Sequence, residues 1–175
     1  LRHSDAVALF PGGFGTQDEA FETLTLMQTG KTQLMPLVLI DRPKGTYWKT
    51  WETHVREHLL REGLISPEDL RLWKSTDDPA EAVKWVARFY RNFHSYRFVR
   101  GELVVRLKHA PTDTALEALN EDFADIIDGA PMRTIEATED EREDEDCVDL
   151  PRVSFGFDRK NYARLRELMG VLNNY

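Results

Sequence analysis

The sequence predicts an α/β protein, the carboxyl-side part of a doubly wound parallel sheet, followed by a small α+β unit. Three observations predict it. Two short, continuously apolar runs, "AVALF" (6–10) and "PLVLI" (36–40), have the composition of parallel strands covered on both faces. Between them, Ala20, Phe21, Leu24 and Met27 recur at helical spacing and Gly30 supplies a stop, so strand, helix and strand form a unit long enough for a right-handed crossover. After Asn92 the pattern becomes strand, helix, strand, strand, helix, an order resembling an incomplete ferredoxin-like fold.

Each element has its own signal. A helix from about Tyr47 to Glu62 buries Trp48, Trp51, Val55 and Leu59, and Gly63 closes it. In "SPED" (66–69) a serine cap precedes proline at the first helical position, and "LRLWKST" (70–76) reads as a third strand. "DDPAEAVKWVARFYRNF" starts another helix at aspartate and proline, with Ala82, Val83, Val86, Phe89 and Tyr90 as its packing residues. The boundary falls near residues 93–100, dividing 1–92 from 93–175. Beyond it, "ELVVRL" (102–107) is a strand, and Thr112 caps a helix carrying Leu116, Leu119, Phe123 and Ile126. "RTIEAT" (133–138) and "RVSFGF" (152–157) are strands, and the last helix carries Tyr162, Leu165, Leu168 or Met169, and Leu172.

At 175 residues the chain makes one ordinary domain or two small ones. One cysteine, Cys147, no secretory leader and no apolar run of membrane-spanning length predict a reducing, cytoplasmic setting without a membrane partner. The net charge of −8 is local in origin: residues 136–149 hold nine acids and one base, and removing them from 31 acids and 23 bases leaves 22 of each. That acidic segment reads as a solvated, self-repelling loop. The chain opens at Leu1 almost directly into an apolar strand, as if it started mid-domain.

"PGGFGTQDE" (11–19) carries the chemistry. A strand ending at Phe10 brings the chain to the carboxyl edge of a parallel sheet, where open α/β folds bind ligands, and the next helix points its amino end there. Gly12, Gly13 and Gly15 lack side chains and are free to take positive φ, so backbone N–H groups can close around an anion, with Thr16 adding a hydroxyl. Phosphate is the usual occupant of such a cradle. The alternative is a tight strand-to-helix turn that needs glycine for geometry alone. The spacing is neither GxGxxG nor a Walker loop. Glu19 also has two readings: Thr16 and Glu19 satisfy a capping box, and a carboxylate near a bound phosphate would suit the attached sugar, bonding its hydroxyls, stabilising positive charge at the anomeric carbon or orienting water.

"PGGFGTQDE" matches PGGxGTxxE, and with "LTLMQTGKTQLMPLVLID" (24–41), "YWKTW" (47–51), "EGLISPEDL" (62–70) and "DDPAEAV" (77–83) it resembles the Lonely Guy (LOG) family, formerly labelled lysine decarboxylases, over residues 1–92. The resemblance implies a Rossmann-like homodimer that hydrolyses the N-glycosidic bond of a nucleoside 5′-monophosphate, releasing base and ribose 5-phosphate, with no cofactor and no metal. It makes Gly12, Gly13, Gly15 and Thr16 the phosphate-binding residues and Glu19 the catalytic carboxylate. The family pairs that glutamate with an arginine from an Arg-Lys motif upstream of this strand. Arg2 is not that residue, so the chain reads as the carboxyl portion of a longer protein, inactive alone. A non-catalytic nucleotide-binding module is the alternative.

Other signals are weaker. "HVREH" (54–58) fits a zinc-protease pattern, yet Trp51, Val55 and Leu59 make it an ordinary amphipathic helix. A decarboxylase would need a lysine for a pyridoxal Schiff base, and Lys31, just after a helix stop, has no desolvating context. "RFYRNFHSYRFVRGELVVRLK" (88–108) interleaves arginines with aromatics and contains one acid, a composition that suits an anionic partner such as RNA. The reading preferred is aromatics packing between the domains with solvated arginines, and nucleic acid is not expected as a partner.

Overall fold

The computed structural model describes residues 4–175, so Arg2 lies outside them. The chain divides into two compact units, residues 1–88 with Tyr162–Arg166, and Phe89–Asn161 with Glu167–Tyr175. The first carries β1 (Val7–Leu9), α1 (Phe14–Gln28), β2 (Leu37–Ile40), α2 (Tyr47–His54), β3 (Trp73–Thr76) and α3 (Pro79–Phe89). Its strands form a parallel sheet in the order β1-β2-β3, with Val7 opposite Leu37 and Leu37 opposite Trp73.

All four residues of β2 are buried, as their apolar run requires of a central parallel strand. β1 differs from its expectation: Ala8 is exposed and Val7 and Leu9 are only half-buried, because among the described residues β1 pairs with β2 alone and stands at the sheet edge. On α3, Ala82, Trp85 and Val86 pack against Val38 and Ile40. Val83, expected in that core, is 69% exposed, since one residue further on is about 100° round a helix from Ala82. α2 continues through a wider π-helical stretch, Val55–Leu60, toward Gly63 at φ 72°, and buries Trp48, Trp51 and Val55. Phe21, Trp48 and Trp73 each lie 5.4–5.9 Å from the Trp51 ring. The third strand starts at Trp73 rather than Leu70. Residues Pro67–Arg71 form a 3₁₀ turn instead, sealed by Ser66 and Asp69, whose side chains bond each other's backbone N–H.

The second unit holds β4 (Phe93–Val99), β5 (Glu102–Leu107), α4 (Asp113–Asp122), β6 (Arg133–Ile135), α5 (Glu139–Glu143), β7 (Arg152–Phe155) and α6 (Tyr162–Leu172), whose first turn groups with the other unit. The sheet is antiparallel in the order β4-β5-β7-β6. β4 corrects the expected order, which lacked it, and the buried Arg106 corrects the expectation that the arginines of the aromatic and arginine-rich stretch are solvated. That stretch is a hairpin turning at Arg100 and Gly101, both at positive φ, as a two-residue turn matching strand twist requires.

Strand alternation gives this sheet two unlike faces. Tyr96, Leu103, Val105, Leu107, Val153 and Phe155 alternate onto one and are buried. The other carries Ser95, Arg97, Arg106, Arg152 and Ser154, with Arg106 directly opposite Arg152. The acidic segment covers this arginine face, which overturns its reading as a solvated loop. Thr138 and Glu141 form a capping box that starts α5. The fully buried Glu141 carboxylate then accepts from Arg106 Nε at 2.8 Å and Arg152 Nε at 2.9 Å. Asp146 pairs with Arg106 at 2.6 Å and Arg97 at 3.2 Å, and Asp140 with Arg100 at 3.0 Å. Like charges that repel along the chain are held in place by opposite charges from β4, β5 and β7.

These contacts make the unit acid-labile. Burial pushes the Glu141 carboxyl up, but bonds from Thr138, Arg106 and Arg152 outweigh it and hold the group below its usual range. The same arginine partnership lowers Asp146 against its burial, and Ser154 and Arg133 lower Glu102. A depressed carboxyl contributes stability that is present above the unfolded-state value near 4 and is lost as pH falls through the folded-state value. We expect circular dichroism melts to be flat between pH 6 and 8 and to fall steeply below about pH 4. A midpoint unchanged down to pH 2.5 would show that these pairs contribute nothing.

Candidate functional site

The glycine-rich loop stands at the carboxyl end of β1. Gly13 is the N-cap residue of α1 with extended backbone, and its carbonyl accepts from Thr16 N at 3.1 Å and Gln17 N at 3.2 Å. Among the described residues no side chain caps this helix, so the amides of Phe14 and Gly15 are left for water or a ligand, at the positive end of the helix dipole. Residues Pro11–Gly15 are all exposed, and Phe14 is 97% exposed.

The glycines are used differently from the expectation of left-handed backbone. Among the described glycines positive φ falls at Gly30, Gly63, Gly101 and Gly129, not in this loop. Gly12 is required by packing: a Cβ there would lie 2.1 Å from Thr16 Oγ1, so the threonine hydroxyl folds back over it. A Cβ on Gly13 or Gly15 would meet nothing within 4 Å. Nothing within the described residues requires glycine at those two positions, and their bare backbone faces open space.

The start at Phe14 also disposes of the capping box proposed for Thr16 and Glu19. Thr16 is the third helical residue, where its hydroxyl cannot reach an N-cap role, and Glu19 sits in the second turn. Sequence reasoning placed the cap three residues late because Thr is the better cap by type, whereas here the turn geometry selects Gly13. Glu19 is half-buried and shares the helix face of Gly15 and Thr16, and its side chain has no hydrogen bond or ion pair to another described residue. The structure therefore brings Gly12, Gly13, Gly15 and Thr16 together at one helix end, with Glu19 one turn further on.

Beside the loop lies a cleft of about 640 Å³ lined by Phe10, Pro11, Ile40, Asp41, Arg42, Thr46, Tyr47 and Pro79. It sits at the carboxyl edges of β1 and β2, as open α/β sheets place their ligands. Glu19 is not among its lining residues. Three side chains here escaped sequence reasoning. Arg42 is the one cation among the described residues that line the cleft and is exposed. Tyr47 donates its hydroxyl proton to Gly12 O at 2.6 Å, and Gln17 Nε2 donates to Tyr47 Oη at 2.5 Å. Arg42 was discoverable, as the second residue past an apolar strand; the Tyr47 contact spans 35 residues and leaves no local signal. Asp41 is buried and accepts from Arg42 N at 2.8 Å and Trp48 N at 3.3 Å, anchoring the start of α2 to the end of β2.

Among the described residues no group of three or more His, Cys, Asp or Glu is placed to hold a metal ion. His54 and His58 lie with ring centroids 5.0 Å apart on the exposed side of α2 and its extension, while Trp51 and Val55 face inward. No described helix is long and apolar enough to cross a membrane.

Residues 1–86 match the model of a protein family described as "possible lysine decarboxylase". No curated protein matches the chain.

Proposed function

Taking residues 1–86 as a segment of the family they match, we propose that the chain belongs to a nucleoside 5′-monophosphate phosphoribohydrolase, which cleaves the N-glycosidic bond with water to give free base and ribose 5-phosphate. One observation carries the reading: an uncapped helix start with open glycine backbone, and one turn further a half-buried carboxylate with no described partner. The first-turn amides and Thr16 hold the phosphate, as helix amino ends hold anions. Glu19 then faces the ribose. In the reaction the bond from C1′ to the base nitrogen breaks with its electron pair going to the base, and the oxygen of water bonds C1′. Glu19 orients that water and accepts its proton, and its charge steadies the positive C1′ as the base leaves.

This reading extends to a Rossmann-like doubly wound sheet for the first unit, a ferredoxin-like sheet for the second, a homodimeric assembly and a cytoplasmic setting. The family's descriptive title suits this chain less well. A decarboxylase of that kind needs a desolvated lysine, whereas Lys31, Lys44, Lys49 and Lys84 are exposed and Lys74 is ion-paired with Glu81 at 3.0 Å. A second reading, a nucleotide-binding module without catalysis, draws on the absence of Glu19 from the cleft lining.

The whole protein, incubated with a panel of nucleoside monophosphates, should release free base from at least one. Glu19→Gln should lower kcat by roughly 10²–10⁴-fold with a much smaller change in KM. Binding without base release from any nucleotide would establish the module instead, and equal turnover by the variant would remove Glu19 from the mechanism.

A further inference from the structure

We infer that Tyr47 is a positioning residue that aims the glycine-loop amides at the phosphoryl group, an inference that rests on the phosphate-binding role proposed for that loop. The hydrogen-bond polarity is determined by the partners. A carbonyl oxygen only accepts, so the one phenolic proton of Tyr47 is spent on Gly12 O, and the phenolic oxygen must accept from Gln17, whose NH₂ group faces it at 2.5 Å. Gln17 lies on α1 and Tyr47 begins α2, so the two helix starts that flank the cleft are joined through one hydroxyl.

The consequence for the loop follows from peptide geometry. In a planar trans peptide the Gly12 carbonyl and the Gly13 N–H point in opposite directions. Holding the carbonyl on Tyr47 therefore turns the Gly13 N–H away from Tyr47 and keeps it there. Without that bond, a run of glycines with open space around Gly13 and Gly15 has little to stop the peptide plane from rotating. A rotated plane would present a carbonyl oxygen where an anion needs a donor. The Tyr47 ring is itself braced edge-on against Trp48, centroids 4.8 Å apart, and Trp48 is buried with its Nε1 on Ile40 O at 3.3 Å. The aim of the loop is thereby referred back to the end of β2.

Tyr47→Phe removes the hydroxyl and leaves the ring. Because Gly12 is exposed, water can take over its carbonyl, so the fold should be little affected and the thermal midpoint should move by no more than about 2 °C. In the whole protein, calorimetric affinity for a nucleoside 5′-monophosphate and for inorganic phosphate should fall about tenfold, affinity for the matching unphosphorylated nucleoside should be unchanged, and KM should rise with kcat within about twofold. Gln17→Leu should shift phosphate affinity in the same direction by a smaller factor, and the double variant should be no worse than Tyr47→Phe alone. If the wild type binds phosphate and nucleotide but Tyr47→Phe binds them equally well, or if nucleoside affinity falls by the same factor, Tyr47 does not aim the loop while the proposed function stands. If the wild type binds neither, the phosphate role of the loop and this inference both fall.

Discussion

Glu141→Gln is expected to destabilise the second unit by about 3–5 kcal/mol, the range found when one partner of a buried ion pair is removed. Arg106 and Arg152 are 4% and 1% exposed, and both direct a guanidinium at this one carboxylate. A neutral amide keeps the shape, but it leaves two buried cations side by side on adjacent strands with only Asp146 to offset Arg106. Arg152 retains the carbonyls of Asp146, Cys147, Val148 and Leu150, which satisfy its N–H groups without neutralising its charge. The α5 capping box would weaken as well, since Glu141 Oε2 accepts from Thr138 N at 3.0 Å. Chemical denaturation followed by circular dichroism measures the loss. Replacing all three charged residues by apolar ones of similar volume should cost far less than the single change, because the charges to be desolvated disappear together. A single variant within about 0.5 kcal/mol of wild type would show that water, not Glu141, compensates the two arginines.

Gly15→Ala should separate binding from stability. Its position lies in the first helical turn with no left-handed backbone, and the added Cβ meets nothing within 4 Å. Alanine there should stabilise α1 by about 0.5–1 kcal/mol, the ordinary difference between the two residues in a helix. If the space over Gly15 belongs to a phosphoryl group, the same methyl should weaken nucleotide binding by at least about tenfold, since a displaced charge-assisted hydrogen bond amounts to about 1.5–3 kcal/mol. Gly12→Ala should fail differently. Its Cβ would sit 2.1 Å from Thr16 Oγ1 and 3.0 Å from Thr16 Cβ, so the helix start itself must shift and both binding and stability should fall. Melting curves with and without nucleotide read both effects. A Gly15→Ala protein that is more stable and binds nucleotide as tightly as wild type would refute the ligand reading of the loop.

Much of the fold was legible because local signals and tertiary outcome agree. The apolar run at Leu37–Ile40 is a fully buried strand, and the stops at Gly30 and Gly63 take the positive φ that glycine adopts at least cost. The strand-to-helix placement of "PGGFGTQDE" was also readable, so the candidate site was found before its geometry was known. β4 was missed because its arginines and aromatics were read as surface and filler. The alternation of Tyr96 and Phe98 with Ser95 and Arg97, closed by Arg100-Gly101, was a hairpin signal, which the register shift between Phe93 and Ser95 interrupts. Two oddities of the sequence, the acidic run and the arginine-rich stretch, were read separately, and they bind each other.

By itself the sequence determined most of the strands and helices of the first unit, the residue types gathered at the first helix start, and the family that residues 1–86 match. Those properties are written in periodicity, glycine placement and a nine-residue motif, all local. Only the tertiary structure decided that Gly13 and not Thr16 caps α1, that Tyr47 holds the loop by a carbonyl 35 residues away, and that Glu141 lies buried between two arginines. Each of these depends on which distant groups come within hydrogen-bond reach once the strands pair, and a carboxylate in a charge run carries no mark of whether it will face water or a guanidinium.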